Sequence, residues 1–79
     1  MWEEKDGSLY KLFEFKDFKQ AFAFMQKVAV IAEEQNHHPK WTNQYNKVKI
    51  WLSTHDAGDK VTDKDSRLAE EIDRVYENA

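Results

Sequence analysis

Three histidines are the residues of this 79-residue sequence best suited to chemistry near neutral pH. Two are adjacent in the run Asn36-His37-His38-Pro39, and the third, His55, follows Ser53-Thr54. Imidazole both gives and takes a proton near neutral pH, so a cluster of histidines suits general acid–base catalysis. A histidine beside the end of a helix is more often a capping or surface residue, and the residue types alone leave that alternative open.

A metal site is a second possibility for three histidines. Zinc would need three imidazole nitrogens converging at about 2.0–2.1 Å from one ion. His37 and His38 are neighbours followed by a proline, and adjacent residues in such a place rarely supply two ligands to one metal. The sequence contains no cysteine, which excludes disulfides and cysteine-based zinc sites. We therefore expect no metal at these histidines.

A long amphipathic helix is predicted to carry the histidine pair at its carboxyl end. Asp17 and Gln20 have the spacing of a capping box, which indicates a helix start. Pro39 disfavours the α conformation at the residue before it, so the helix is expected to end at about Asn36 or His37. Between these limits an apolar stripe recurs every three or four residues: Phe18, Ala21, Phe22, Met25, Val28, Ala29 and Ala32.

Phe24 and Ile31 lie outside this stripe, seven residues apart. Either they contact the core, or they form a second apolar edge at a subunit interface. A domain this small buries only about 60% of the surface of its unfolded chain. Since disulfides cannot contribute, we expect the chain to gain stability by forming an oligomer.

The remaining apolar segments before the second helix predict four strands. Asp6-Gly7 is a hairpin-type turn pair, followed by the aromatic and partly alternating segment 9–15. Residues 41–45 are expected to be extended. Residues 48–54 alternate most clearly, and they end next to His55. The residues that this last strand places on one face are Val48, Ile50 and Leu52.

A second amphipathic helix follows a predicted turn at residues 56–59. Thr62 and Asp65 have capping-box spacing, ahead of a stripe of Leu68, Ala69, Ile72, Val75 and Tyr76. The predicted order is ββαββα in a single domain over residues 1–79. This is an α+β fold, a four-stranded antiparallel sheet with helices packed on one face. We interpret Trp41, Tyr45 and Trp51 as packing residues.

Composition and charge exclude several classes of function. The net charge is −3 with acidic and basic residues interspersed, so no basic stripe is present to neutralise phosphates, and nucleic acid is not an expected partner. No apolar run approaches the roughly 18 residues that cross a bilayer, and no signal peptide is visible. We expect a cytoplasmic protein that does not bind membranes.

Several motifs together resemble the pterin-4a-carbinolamine dehydratase family. They are Glu33-Glu34-Gln35-Asn36-His37-His38-Pro39, then Tyr45, then Ser53-Thr54-His55, then Asp65. The flanking segments 13–18, 45–48 and 65–69 are similar to the family as well, so the resemblance covers nearly the whole chain. His-His-Pro alone is a weak signal, but its combination with the later tyrosine and Ser-Thr-His is specific.

The resemblance implies dehydration of a 4a-hydroxytetrahydropterin to the quinonoid dihydropterin, in tetrahydrobiopterin recycling, without a metal or organic cofactor. His37 and His55 resemble the acid–base pair, and His38 resembles a residue that binds or orients the pterin and shares the acid role. Which histidine gives which proton stays open. The positions similar to those lining the family's pterin pocket are Asn36, Pro39, Ser53, Thr54 and Asp56.

Asp65 and Glu33 are expected to support the histidines. By resemblance Asp65 orients one of them through a carboxylate hydrogen bond, which would raise the basicity of the imidazole. The alternative is that Asp65 only completes the cap of the second helix. Glu33 is most simply a solvated residue of the last helical turn that also touches a histidine.

Two further expectations come from the family. Its members commonly have a helix before the first strand, which is expected to be absent ahead of Trp2. They form dimers that extend the sheet and tetramers that bury helices, so we expect a homodimer or homotetramer. The alternative function is a protein-interaction module, a dimerisation cofactor or scaffold on the same fold.

Overall fold

The computed structural model describes residues 1–78 and confirms the predicted α+β fold with the order ββαββα. One short 3₁₀ turn, His55–Ala57, precedes the second helix. The strands and helices are β1 Glu3–Lys5, β2 Ser8–Glu14, α1 Phe18–Gln35, β3 Lys40–Gln44, β4 Lys47–Leu52 and α2 Asp63–Glu77.

The four strands form one antiparallel sheet in the order β1-β2-β4-β3. β1 and β2 are joined at Asp6 and Gly7, whose φ angles of 53° and 82° produce the tight hairpin turn predicted from this pair. Val48, Ile50 and Leu52 are fully buried, as the alternation in β4 predicts. The sheet therefore has one face against the helices and one open face.

The face that α1 presents to the core agrees with its predicted apolar stripe only in part. Phe24 is 2% exposed and packs against Phe13 and Phe15, with ring centroids 5.0 and 4.9 Å apart. Phe18 and Phe22, which the stripe assigns to the core, are 48% and 47% exposed and stack on each other at 5.8 Å. The predicted stripe is confirmed at Ala21, Val28 and Ala32, which are buried. It is wrong at Phe18 and Phe22, because α1 has two neighbouring apolar edges and packing against the sheet selects the one that contains Phe24. Phe24 contacts the core, which resolves the alternatives left open for it.

The two ends of α1 are capped by side chains and by a left-handed residue. Asp17 accepts a hydrogen bond from the Gln20 backbone N–H at 2.9 Å, while the Gln20 side chain accepts from Lys16. Asn36 adopts φ 51° and ends the helix, and the His37 N–H donates to the Ala32 carbonyl at 3.0 Å. The helix thus ends one residue before the predicted limit, with His37 immediately beyond the cap.

The remaining differences from prediction lie in the loops. β4 ends at Leu52, and Thr54 forms an isolated bridge with Lys60. Tyr45 was interpreted as a packing residue, but it is 63% exposed at φ 52° in the β3–β4 turn, which points its ring away from the core. No helix within residues 1–78 is both long and apolar enough to cross a membrane.

Candidate active site

The end of α1, the end of β4 and the start of α2 border a small polar hollow of about 300 Å³. We call it the histidine hollow, and its lining consists of Asn36, His37, His38, Ser53, Thr54, His55, Asp56 and Lys64. All three histidines therefore border one space. They reach it because Asn36 ends α1 just before His37, and because β4 delivers residues 53–55 to the same end of the sheet.

His37 is the most firmly held of the three. Its side chain is 11% exposed, and Nε2 lies 2.5 Å from Oδ1 of Asp65. An ionised carboxylate only accepts hydrogen bonds, so Nε2 carries the hydrogen and donates it. The bond fixes the tautomer and leaves Nδ1 of His37 as the nitrogen that can exchange a proton with a ligand.

Asp65 is a fully buried carboxylate with every oxygen engaged. Oδ2 accepts hydrogen bonds from the Thr54 hydroxyl and from the Thr62 backbone N–H, both at 2.8 Å, and Oδ1 accepts from His37. A charge at 0% exposure is tolerated only when it is paired and hydrogen-bonded, and these three donors meet that need. Asp65 thus completes the capping box of α2 and at the same time holds His37, which lines the histidine hollow.

Thr54 and Thr62 extend this network by one step. Their hydroxyl oxygens are 2.6 Å apart, and the Thr54 hydroxyl donates to Asp65. The backbone N–H of Lys64 donates to the Thr62 hydroxyl at 3.3 Å, which caps the helix. Thr54 is 6% exposed, so its hydroxyl serves the carboxylate rather than the open part of the hollow.

His38 is held more loosely than His37. Its Nε2 lies 2.8 Å from Oε1 of Glu33 on the last turn of α1. The two side chains are 58% and 80% exposed, and solvent screens such a pair strongly. Glu33 therefore touches a histidine from a solvated position.

His55 stands at the mouth of the histidine hollow. Its side chain is 92% exposed, and its one hydrogen-bonding partner among residues 1–78 is Asp59, at 3.2 Å. Both residues belong to a loop that bends through Gly58, which has φ 82°. The carbonyl of Asp59 lies 2.5 Å from where a Cβ on Gly7 would stand, so the loop rests on the β1–β2 turn.

The structure sorts the residues proposed for the site. Asn36, Ser53 and Asp56 line the hollow together with the histidines, whereas Pro39 is not part of its lining. Asp65 and Glu33 lie behind it, each bonded to one histidine.

Sequence reasoning missed Lys64, which brings a positive charge to the lining, and Asp59, which contacts His55. Neither residue type carries a local sequence signal that would have identified it. Within residues 1–78 no three histidine, aspartate or glutamate side chains are grouped so that they could hold a metal ion.

Comparison with known proteins identifies the family. Residues 1–75 match the family model described as pterin 4 alpha carbinolamine dehydratase. A relative from Prochlorococcus marinus is 51% identical over 74 residues, which cover 94% of this chain and 76% of the relative. One from Rhizobium meliloti is also 51% identical over 74 residues, covering 94% of this chain and 70% of its own. Both carry the provisional name pterin-4-alpha-carbinolamine dehydratase.

Solved structures are similar to this chain as well. A transcriptional coactivator/pterin dehydratase from Brucella melitensis superposes with a TM-score of 0.89 at 38% identity, covering 95% of this chain and 81% of its own. A pterin dehydratase-like protein described as a RuBisCO assembly factor in the alpha-carboxysome has a TM-score of 0.78 at 23% identity, covering 96% and 87%. The second likeness shows the fold alone. With the match over residues 1–75, the chain belongs to the pterin-4-alpha-carbinolamine dehydratase family.

Proposed function

We propose that this chain dehydrates a 4a-hydroxytetrahydropterin to the quinonoid dihydropterin by histidine general acid–base catalysis. The observation that carries the proposal is the hydrogen bond between His37 and the buried Asp65, beside a hollow that His37 and two further imidazoles border. Proteins that share about half of their residues usually catalyse the same type of reaction. The histidines and Asp65 supply the proton donors and acceptors that dehydration needs. Its place would be the recycling of tetrahydrobiopterin.

The reaction consists of two proton transfers around one C–O bond. A proton must reach the 4a-hydroxyl so that it leaves as water, and another must depart from the pterin ring. Imidazoles do both near neutral pH, and each transfer contributes roughly 10²–10⁴-fold. No metal or organic cofactor is required, because the proton that is delivered and the proton that is removed balance.

His37 and His55 are assigned to the two transfers. Asp65 holds His37 through Nε2, so a stable tautomer presents Nδ1 to the ligand. His55 also lines the hollow and is open to solvent, so it can exchange its proton with water between turnovers. His38 is assigned to orienting the pterin and to sharing the acid role.

The remaining lining suits a flat polar heterocycle. Asn36, Ser53 and Asp56 present amide, hydroxyl and carboxylate groups toward a space of about 300 Å³. A reduced pterin has donors and acceptors along one edge, which side chains and backbone groups of this kind can pair. Lys64 adds a positively charged donor to this lining, which can pair with an acceptor on the polar edge of the ring.

The test is the dehydration rate of freshly generated 4a-hydroxytetrahydropterin, followed by ultraviolet absorbance after subtraction of the spontaneous rate. His37→Gln and His55→Gln remove the ionisable group and keep an N–H donor, and each should lower kcat by about 10²-fold or more. Gln26→Ala, on the exposed side of α1, is the matched control and should keep the native rate. Native protein no faster than buffer, with all variants folded, would reject the dehydratase assignment.

An interaction role is the second candidate, and one feature favours it. Phe18 and Phe22 form a stacked pair that is about half exposed on α1. We call this pair the phenylalanine flank. Adjacent exposed aromatic side chains are typical of association surfaces, and a domain of this size gains stability from association. The occupant we propose is a second copy of this chain, in a homodimer or homotetramer.

Light scattering after size-exclusion chromatography tests the phenylalanine flank. Phe22→Glu should reduce the mass of the particle toward that of one chain, because a charge in an apolar interface is left without a partner. Val30→Glu is the matched control, since Val30 is also exposed and apolar on α1, at 60% exposure. An unchanged mass for Phe22→Glu would place any interface elsewhere.

A further inference from the structure

The open face of the sheet contains a second hollow, of about 460 Å³, that shares no residue with the histidine hollow. We call it the sheet hollow. Its floor is the pair Tyr10 and Trp51, and its sides include Lys5, Lys40 and Lys49. Its volume lies within the range typical of small-molecule sites. The dehydratase site proposed above makes no use of this face.

The floor is an aromatic platform fixed by the register of the sheet. Tyr10 and Trp51 are direct cross-strand partners on β2 and β4, with ring centroids 5.2 Å apart and planes inclined at 39°. Both strands are central in the sheet, so paired neighbours on either side hold the backbone of the platform. Aromatic rings on a rigid sheet surface provide stacking for planar heterocycles, as in sheet-based nucleotide recognition.

Three lysines surround this platform from three different strands. Lys40 on β3 is the cross-strand partner of Trp51, and its Nζ lies 5.2 Å from the indole centroid. Lys49 precedes Trp51 by two residues on the same face of β4, and Lys5 ends β1. Three positive charges thus lie around the rings, and the carboxylates nearest to them in the sheet are Glu3, the cross-strand partner of Tyr10, and Asp6.

The three ammonium groups have no carboxylate partner within the described residues. Lys11 provides the contrast, because it lies on the helix-facing side of β2 and its Nζ is 2.9 Å from Asp73. Asp6 is the one acidic residue in the lining of the sheet hollow. The lysines of the open face are therefore available to an anion.

We propose that the sheet hollow binds a free mononucleotide or a closely similar phosphorylated planar heterocycle. The ring would stack on Tyr10 and Trp51 after displacing the ammonium of Lys40 sideways, and the phosphate would lie among the lysines. A phosphate monoester carries about two negative charges at neutral pH, which three lysines offset. The chain's net charge of −3 opposes a long polyanion, so we assign a single nucleotide rather than a strand. The proposal is independent of the dehydratase assignment.

Titration of the ¹⁵N-labelled protein with adenosine 5′-monophosphate, followed by two-dimensional NMR, tests this site. We expect the largest shift changes at the amides of Tyr10, Lys40 and Trp51 and at the Trp51 indole N–H. Adenosine alone and inorganic phosphate alone should each bind at least about tenfold more weakly, because each lacks one of the two contacts. A four-nucleotide adenosine strand tests whether the ligand is part of a polymer.

Variants separate the lysines from the platform. Lys40→Ala and Lys49→Ala should each weaken nucleotide binding about threefold or more, since an ammonium–phosphate contact is lost. Trp51→Leu keeps an apolar side chain on the strand and should weaken binding by about fivefold or more through loss of stacking. Lys19→Ala, on the exposed surface of α1, is the matched lysine control and should leave the affinity unchanged.

Four results would overturn the proposal. The first is the absence of shifts at the sheet hollow at millimolar nucleotide. The second is a shift pattern confined to residues 36–38 and 53–56, which would mean that the nucleotide enters the histidine hollow instead. The third is phosphate binding as tight as the nucleotide, which would leave no role for the rings. The fourth is tighter binding of the strand than of the mononucleotide, which would assign the face to nucleic acid.

Discussion

His37 and His55 border the same hollow and are held in opposite ways. His37 is nearly buried and donates to Asp65, which is itself held by Thr54 and Thr62. His55 is 92% exposed on a short loop with a 3.2 Å contact to Asp59. On one side of the site the histidine is held by buried contacts of the fold, whereas on the other side an exposed imidazole has a single long contact to a loop carboxylate. Folding energy and catalysis should be tightly coupled on the His37 side and separable on the His55 side.

Asp65→Ala should cause the largest loss of unfolding free energy, because Asp65 holds the His37 side of the site. The change leaves His37 Nε2–H, the Thr54 hydroxyl and the Thr62 N–H without their buried acceptor. Losing one partner of a buried hydrogen-bonded charge pair costs about 3–5 kcal/mol of unfolding free energy, which a domain of this size can barely tolerate. Urea denaturation measures the loss, and the dehydration rate should fall with it.

Asp63→Ala is the matched control for that experiment. Asp63 is an exposed carboxylate in the same first turn of α2, and its removal should cost roughly 0.3–1 kcal/mol through the helix dipole. Equal losses for Asp63→Ala and Asp65→Ala would show that Asp65 acts only as a helix-terminal charge, with no special connection to His37.

Replacing the two histidines separately tests whether stability depends on His37 more than on His55. His37→Ala removes a hydrogen bond to a buried carboxylate and should lower the unfolding free energy by about 2 kcal/mol. His55→Ala removes an exposed side chain and should change it by less than about 0.5 kcal/mol. Both should lower the dehydration rate about 10²-fold, so denaturation midpoints and rates on the same samples are needed. A stability loss of the same size in both variants would contradict the comparison.

Substitutions at two glycines test whether the contact between the β1–β2 turn and the loop positions His55. Gly7 and Gly58 both have φ 82°, so alanine is strained at either position, by about 1 kcal/mol. At Gly7 the new Cβ would also stand 2.5 Å from the Asp59 carbonyl, whereas Gly58 has nothing within 4 Å. Gly7→Ala should therefore cost about 1 kcal/mol more than Gly58→Ala and should also displace the loop that carries His55.

Thermal denaturation gives the difference in stability between the two glycine variants. The NMR shifts of residues 55–60 report on the loop. They should change in Gly7→Ala even though Gly7 lies outside the loop, in the β1–β2 turn. If the loop shifts stay at their native values in Gly7→Ala, the turn does not position His55.

The sequence predicts the elements better than their mutual contacts. The alternation of Val48, Ile50 and Leu52 identifies a half-buried strand because its period matches the pleat, and Pro39 sets the end of α1 because it acts locally. The choice between Phe22 and Phe24 for the core has no such local signal. It depends on how α1 lies across the sheet, which only the packed structure determines.

The candidate site shows the same limit. Sequence motifs identify the histidines as candidate site residues, but the hydrogen bond between His37 and Asp65 joins residues 28 positions apart. Capping-box spacing predicts the local role of Asp65 and cannot show that its other oxygen faces a histidine. Asp59 and Lys64 were missed because a loop carboxylate and a helix-surface lysine are common in any sequence, and only their positions beside the histidine hollow distinguish them.

The smallest effect is expected at the exposed pair of Glu33 and His38. Glu33→Gln removes the charge and keeps a side chain able to accept a hydrogen bond from the imidazole, which lies 2.8 Å away. Since both side chains are more than half exposed, the unfolding free energy should change by less than about 0.5 kcal/mol. The dehydration rate should change by less than about twofold at 0.5 M salt, where exposed charges are screened. A tenfold loss of rate at that salt concentration would instead make Glu33 a partner of His38 in the proton transfers. His38 would then depend on its carboxylate partner as His37 depends on Asp65.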